Sequence, residues 1–255
     1  CIKFFKDNQS SIPKFEYILI DEYQDINALQ IELIDLLNPQ NLFCVGDPRQ
    51  SIFGWRGSEI KYILNFQDKY PNAEIITLST NYRSSKQIID LINKSIENAR
   101  LPDLKHFSND CAEITLLNFD SEDQEMHFVV NKINQIQVPR KDILILARTK
   151  RIISELSERM KVSGVKHLVK IDDRNKEEEP DLDQLTLATI HSIKGLEAHT
   201  VFVIGCTTLN FPCKAPEHPI IDMLNIYNYD KEEEERRLFY VALSRAKNTL
   251  YLTYS

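Results

Sequence analysis

Two carboxylates, Asp21 and Glu22, follow directly on the apolar run Tyr17-Ile18-Leu19-Ile20 and open the block Asp21-Glu22-Tyr23-Gln24-Asp25. Acids at the carboxyl end of a buried strand stand where open α/β sheets bind ligands. One such acid can hold Mg²⁺, usually through water, while its neighbour orients the water that attacks a phosphoryl group. The plain alternative is an acidic strand end with no ligand. A second apolar run, Leu42 to Val45, leads into Gly46-Asp47-Pro48-Arg49-Gln50-Ser51-Ile52-Phe53-Gly54-Trp55-Arg56-Gly57, which holds three of the six glycines. Clustered glycine lets backbone come close to a ligand, and Phe53, Trp55 and Arg56 offer rings beside a cation, as single-stranded nucleic acid requires. A tight turn whose aromatics plug a core fits the same residues.

Three further blocks carry polar chemistry: Thr80-Asn81-Tyr82-Arg83-Ser84-Ser85, Thr189-Ile190-His191-Ser192-Ile193-Lys194-Gly195-Leu196-Glu197, and Glu234-Glu235-Arg236-Arg237 through Ser244-Arg245-Ala246-Lys247. Taken singly, each has an ordinary reading. Arg83 and Arg245 read as surface cations, His191 as part of a capped turn, and Glu232 to Glu235 as a solvated helix start favoured by the helix dipole.

The elements that must position these residues alternate. Strand-like runs lie at Phe15 to Ile20, Leu42 to Val45, Ile75 to Leu78, Ile114 to Leu117, Ile143 to Ala147, Leu185 to Ala188, Val201 to Ile204 and Leu250 to Thr253. Between them, Ile88, Ile89, Leu91, Ile92 and Ile96 recur at helical spacing behind Ser84 and Ser85 as N-cap, and so do Ile152, Ile153, Leu156 and Met160. This is the pattern of an α/β fold with mostly parallel sheets. A boundary falls near Ser79 to Asn81, which gives two domains, residues 1–79 and 80–255.

Composition narrows the function classes. With 42% hydrophobic and 27% charged residues the chain is globular. Its longest apolar runs are far short of the roughly 20 residues of a membrane helix, so no membrane partner is expected. The five cysteines, at 1, 44, 111, 206 and 213, form no CxxC, and a reducing cytoplasm suits them. The net charge of −7 speaks at first against nucleic acid. It is concentrated, however: residues 172 to 183 hold seven acids and two bases, and residues 230 to 235 hold five acids and one base, which leaves a small positive excess elsewhere. The first of these stretches, with Pro180, reads as an acidic loop over 172–184.

In order and spacing the blocks DEYQD, GDPRQSIFGWRG, NYRSS, TIHSIKGLE and EERRLFYVALSRAK resemble motifs II to VI of UvrD/Rep-type superfamily 1 DNA helicases, from about residue 15 to the end of the chain. The resemblance implies a RecA-like P-loop NTPase helicase fold with parallel sheets flanked by helices, and ATP and Mg²⁺ as cofactors. It implies Asp21 as the Mg²⁺ carboxylate, Glu22 as the residue that activates water and Gln50 as the γ-phosphate sensor. Tyr82 would stack on adenine, Arg83 and Arg245 would be arginine fingers, Glu197 would meet the ribose, and Gly195 belongs to the same nucleotide-binding block. Phe53, Trp55, Arg56 and His191 match positions that touch single-stranded DNA. Duplex junctions and repair or recombination proteins would be further partners, and the cytoplasm, with the nucleoid or a nucleus, the location.

The family's GxxxxGK[ST] loop is absent from the chain. It is expected ahead of residue 1. The first motor domain is therefore read as incomplete, and the chain as a fragment that by itself neither holds ATP tightly nor hydrolyses it usefully. Only 105 residues separate Arg83 from Thr189, too few for the large inserted domain of bigger members, and the acidic loop stands at that insertion point. The leading expectation is an ATP-driven translocase on single-stranded DNA, with 3′ to 5′ polarity implied by resemblance. A non-catalytic DNA-binding or interaction subunit with a helicase fold, or the helicase arm of a nuclease complex, are the alternatives.

Overall fold

The computed structural model describes residues 1–99, 101–108, 110–171, 179–212 and 230–255. Cys213 and residues 172–178 of the acidic loop lie outside them. Chain contacts divide the described residues into two units, one of residues 1–77 and 230–237, the other of 78–212 and 238–255.

In the first unit, α1 (Ile2–Asp7) precedes β1 (Tyr17–Ile20), α2 (Ala28–Leu37), β2 (Asn41–Cys44) and the short helices α3 (Lys61–Leu64) and α4 (Phe66–Lys69). Strands β1 and β2 pair in parallel, with Tyr17 opposite Asn41 and Ile20 opposite Cys44. Alternation sends Ile20, Leu42 and Cys44 to one face, against a core of Tyr23, Ile26, Ile31 and Ile34. Helix α2 starts with a reciprocal capping box, in which Asn27 accepts from the Gln30 N–H and the Gln30 side chain accepts from the Asn27 N–H. On the other face of the sheet Tyr17, Leu19 and Phe43 are exposed.

The expected strand Ile75 to Leu78 is not one. Those residues are irregular, and Ile76 and Leu78 are 73% and 85% exposed. A strand exists only with a partner for its backbone, and pairing begins later, where β3 (Thr80–Asn81) runs parallel to β4 (Lys105–His106).

The second unit is built on six parallel strands in the order β5 (Glu113–Asn118), β10 (Ala246–Tyr254), β9 (Ala198–Ile204), β6 (Ile143–Ala147), β8 (Leu185–Thr189) and β7 (His167–Lys170). Its helices are α5 (Lys86–Ser95), α6 (Glu122–Ile133) and α7 (Lys150–Val162), and α8 (Lys231–Leu243) belongs to the first unit up to Arg237 and to the second from Leu238. Every residue of β6 and β8 is buried, which is why Ile-Leu-Ile-Leu-Ala reads as an unbroken apolar run and not an alternating one. Phe202 of β9 stacks on Tyr251 of β10, with ring centroids 4.6 Å apart. Ser85 is the N-cap residue of α5, as expected, but its side chain makes no capping hydrogen bond. Its hydroxyl donates to the Lys247 carbonyl, and that of Ser84 to the Ala246 carbonyl at 2.6 Å, so both serines tie α5 to the start of β10.

Candidate functional site

In the first unit the chain leaves β1 through Asp21 and turns sharply at Glu22, which has the left-handed backbone φ of 55°. A glutamate in this region is uncommon, and such conformations cluster at functional sites. Asp21 accepts the Glu22 N–H at 2.8 Å. The turn is held from below by Gln24, which is fully buried. Its Nε2 donates to Glu22 Oε2 at 2.6 Å and its Oε1 accepts the Asp47 N–H at 3.0 Å, so one amide joins the acidic turn after β1 to the loop after β2. Gly46 is required by this closeness: a Cβ there would stand 2.7 Å from Gln24 Oε1 and 2.8 Å from Ile63 Cδ1. The glycine serves the packing of Gln24. Asp47 then caps the next turn by accepting from the Arg49 N–H, and its second oxygen accepts from Gln50 Nε2 at 3.0 Å. Asp21, Glu22 and Gln50 are thus carried by the carboxyl ends of two paired strands.

Beyond Gln50 the loop separates its aromatics by depth. Phe53 is buried at 9% exposure, whereas Trp55 is 46% exposed and is no core plug. The Arg56 guanidinium lies 4.5 Å from the Trp55 ring centroid and 4.9 Å from that of Phe53, so it is packed against both rings. The start of α8 fixes this loop. Glu234 accepts the Gly54 N–H at 2.9 Å and Arg237 donates to the Ser51 carbonyl at 2.7 Å. Glu232 and Glu233 fit the expectation of a solvated helix start, but Glu234 and Glu235 are buried.

In the second unit Glu197 and Arg245 immediately precede β9 and β10, and the pairing of Ala198 with Ala246 puts both at the same amino-terminal edge of the sheet. Arg83 reaches them from the segment after β3. Its Nε is paired with Glu197, and its Nη1 donates to the Ser244 carbonyl at 3.3 Å. Lys247 grips the other oxygen of Glu197 at 2.8 Å. The Lys247 ammonium, and after it the Arg83 guanidinium, hold the Glu197 carboxyl below its ordinary value against the opposing effect of burial. Arg245 is 2% exposed. Its guanidinium donates to the carbonyls of Val241 at 3.0 Å and Leu196 at 3.3 Å and to Ser244 Oγ at 3.2 Å. It is therefore not the surface cation of the ordinary reading, and a buried guanidinium needs such acceptors. Tyr82 is 72% exposed. Gly195 has φ of 89° with nothing within 4 Å of a Cβ, so its turn into β9 demands glycine by conformation, not by crowding. His191 is half-buried in the short 3-10 turn Ile190–Ser192 at the carboxyl end of β8, away in register from the Glu197 edge.

Among the described residues no group of three or more His, Cys, Asp or Glu could hold a metal by itself. Exposed Asp21, which spends one oxygen on a backbone N–H, still fits Mg²⁺ that arrives with a nucleotide, because that ion keeps several waters and takes one or two carboxylates. No helix among the described residues is long and apolar enough to cross a membrane. Sequence reasoning gave no role to Gln24, Phe107, Arg237 or Lys247, and took Glu234 only for part of a solvated helix start. All but Phe107 stand inside the quoted motifs or beside them, but nothing in their types distinguishes a structural tie from a surface residue.

The family model described as the UvrD-like helicase C-terminal domain matches residues 76–174 and 165–255, more than half of the chain, and that of the UvrD/REP helicase N-terminal domain matches residues 5–71. The chain belongs to the UvrD-like helicase family. Among curated relatives of this UvrD-like chain, the "ATP-dependent DNA helicase PcrA" of Bacillus subtilis (strain 168) is 44% identical over 154 residues, which is 56% of the chain and 21% of the relative. The "Probable DNA helicase II homolog" of Mycoplasma capricolum subsp. capricolum is 39% identical over 158 residues, 57% of the chain and 22% of the relative. The "Probable DNA helicase" of Mycoplasma pneumoniae is 29% identical over 258 residues, 96% of the chain and 44% of the relative. The UvrD-like chain therefore spans from about a fifth to less than half of the length of these relatives.

Proposed function

We propose that the full protein is an ATP-dependent DNA helicase that moves along single-stranded DNA, with 3′ to 5′ polarity, and opens duplex junctions. The observation that carries the reading is the gathering, in the second unit, of residues from three distant blocks: Arg83, Glu197 and Lys247 in one ion-pair chain, with Arg245 hydrogen-bonded beside it. An exposed ring, a carboxylate and two guanidiniums are the groups that a base, a ribose and a polyphosphate require. In this reading residues 1–79 form the latter part of one motor domain and residues 80–255 the other.

Tyr82 stacks on the adenine, Glu197 receives the ribose with the Gly195 turn beside it, and Arg83 and Arg245 neutralise charge that develops on the transferred phosphoryl, a role worth roughly 10³ to 10⁵ in rate. Arg245 is 2% exposed, so its use is coupled to a local rearrangement that uncovers the guanidinium. Asp21 holds Mg²⁺, which screens the phosphate charge when bound with ATP. Glu22 takes the proton of the attacking water, and Gln50 senses the γ-phosphate from its place against Asp47. Trp55 and Arg56 meet the DNA beside buried Phe53, and His191 is a further DNA-contacting residue. Repair or recombination proteins are the expected partners.

The test is steady-state hydrolysis of ATP by the full gene product. Single-stranded DNA is expected to stimulate it, and Glu22→Gln to abolish hydrolysis while nucleotide binding stays nearly unchanged, because the base is lost but the volume is kept. Hydrolysis that ignores DNA, or that survives Glu22→Gln, overturns the reading.

A further inference from the structure

Tyr82 has a ring neighbour that no motif contains. Phe107 lies with its centroid 4.7 Å from that of Tyr82, the two planes inclined at 41°. The register of the short sheet produces this. Thr80 pairs with Lys105 and Asn81 with His106, so residues 82 and 107 are the next step along two parallel strands. The Phe107 N–H donates to the Asn81 carbonyl at 3.1 Å, and Asn81 Oδ1 accepts the N–H groups of Arg83 at 2.9 Å and Ser84 at 3.0 Å. The backbone on both sides of Tyr82 is therefore fixed, and Phe107 fixes its ring.

Both rings remain largely in solvent, at 72% for Tyr82 and 67% for Phe107, so the pair is not a core contact. A flat ligand does not fit between them, since that would need about 7 Å between rings, twice the ~3.5 Å of carbon contact. Phe107 thus packs at a tilt on Tyr82, and most of the Tyr82 surface stays open to solvent. A ring held in one orientation before a ligand arrives loses less rotamer freedom on binding.

We propose that Phe107 is a positioning residue for the base of the bound nucleotide: it buttresses Tyr82 from behind so that the open face of Tyr82 is presented to a purine. The inference rests on the nucleotide reading above and deepens it.

The experiment is calorimetric titration of the full gene product with Mg²⁺-ATP and, separately, with Mg²⁺-tripolyphosphate, which has no base. Phe107→Ala is expected to weaken ATP binding by about three- to tenfold, the worth of one aromatic pair, and to leave tripolyphosphate within about twofold. Phe107→Trp is expected to restore ATP binding to within about twofold. Far-ultraviolet circular dichroism of each variant should match the parent, as an exposed side chain requires. Equal losses for both ligands would reduce Phe107 to a structural role and overturn the proposal. So would an unchanged ATP affinity in Phe107→Ala beside a weakened one in Tyr82→Ala, and the nucleotide reading would then stand. An unchanged ATP affinity in Tyr82→Ala itself removes the base site and the proposal together.

Discussion

The two-stranded sheet of the first unit and the six-stranded sheet of the second are both parallel, yet they are treated oppositely by the rest of the chain. Strands β6 and β8 are covered on both faces. β1 and β2 are covered on one, and Tyr17, Leu19 and Phe43 point outward at 62%, 73% and 61% exposure. Parallel sheets are ordinarily buried on both sides; the second unit meets that rule with its own helices, whereas within this chain one face of the first unit's sheet is left open. The chemistry differs in the same direction. The first unit places Asp21, Glu22 and Gln50 after the carboxyl ends of its strands and joins the two loops that carry them through one buried neutral amide, Gln24. The second places Glu197 and Arg245 before the amino ends of two strands and secures Glu197 with partly exposed ion pairs. The lesson is that a similar β framework can present its polar residues from either end, with rigidity drawn from burial in one case and from charge in the other.

The comparison breaks or sharpens first at its cores. Phe202→Ala, in the covered sheet, is expected to cost about 3–5 kcal/mol in denaturant unfolding followed by hydrogen exchange in β9. Leu19→Ala, on the open face, should stay within about 0.5 kcal/mol by the same readout in β1. Similar losses at both positions would mean that the open face is covered in solution. Next comes Gly46→Ala, which drives a methyl into Gln24 and Ile63 and is expected to cost about 1–3 kcal/mol. Limited proteolysis should accelerate in residues 21–57 and leave the six-stranded sheet alone; uniform protection would show that Gln24 moves aside without cost. The smallest effect concerns pH. Because Lys247 and then Arg83 hold the Glu197 carboxyl below its ordinary value, its contribution is present above the unfolded carboxylate range and is lost as pH falls through the lower folded value. Acid unfolding of the second unit from roughly pH 5 downward should be slightly shallower in Glu197→Gln, and only slightly, since the carboxylate is partly solvated. An unchanged slope would show that the ion pairs add nothing in solution.

Much of this was legible in the residues. Ile143 to Ala147 is a strand with those bounds, and Leu185 to Ala188 and Val201 to Ile204 fall inside β8 and β9, because a strand buried on both faces leaves an apolar run that no loop would carry. The same signal failed at Ile75 to Leu78, since apolar content reports a preference and not the presence of a partner strand. β7 and β4 went unread because His167–Lys170 and Lys105–His106 are short and half polar. At the site, residue types pointed to Asp21 and Glu22, whereas Arg83 and Glu197 were singled out by the family resemblance alone. Residue types did not reveal that Arg245 is sunk among carbonyls, that Phe53 lies beneath Trp55, or that Phe107 stands behind Tyr82. Those facts depend on register and depth between segments far apart in the chain, which local periodicity does not encode.

The crowding around Gly46 also has a genetic meaning. Any change of one base at the first or second position of a glycine codon yields either a residue with a Cβ or a stop signal. At Gly46 every such residue meets the same buried amide that joins the two loops of the first unit. No one-step coding route therefore leads away from this glycine without obliging the side chains of Gln24 and Ile63 to shift.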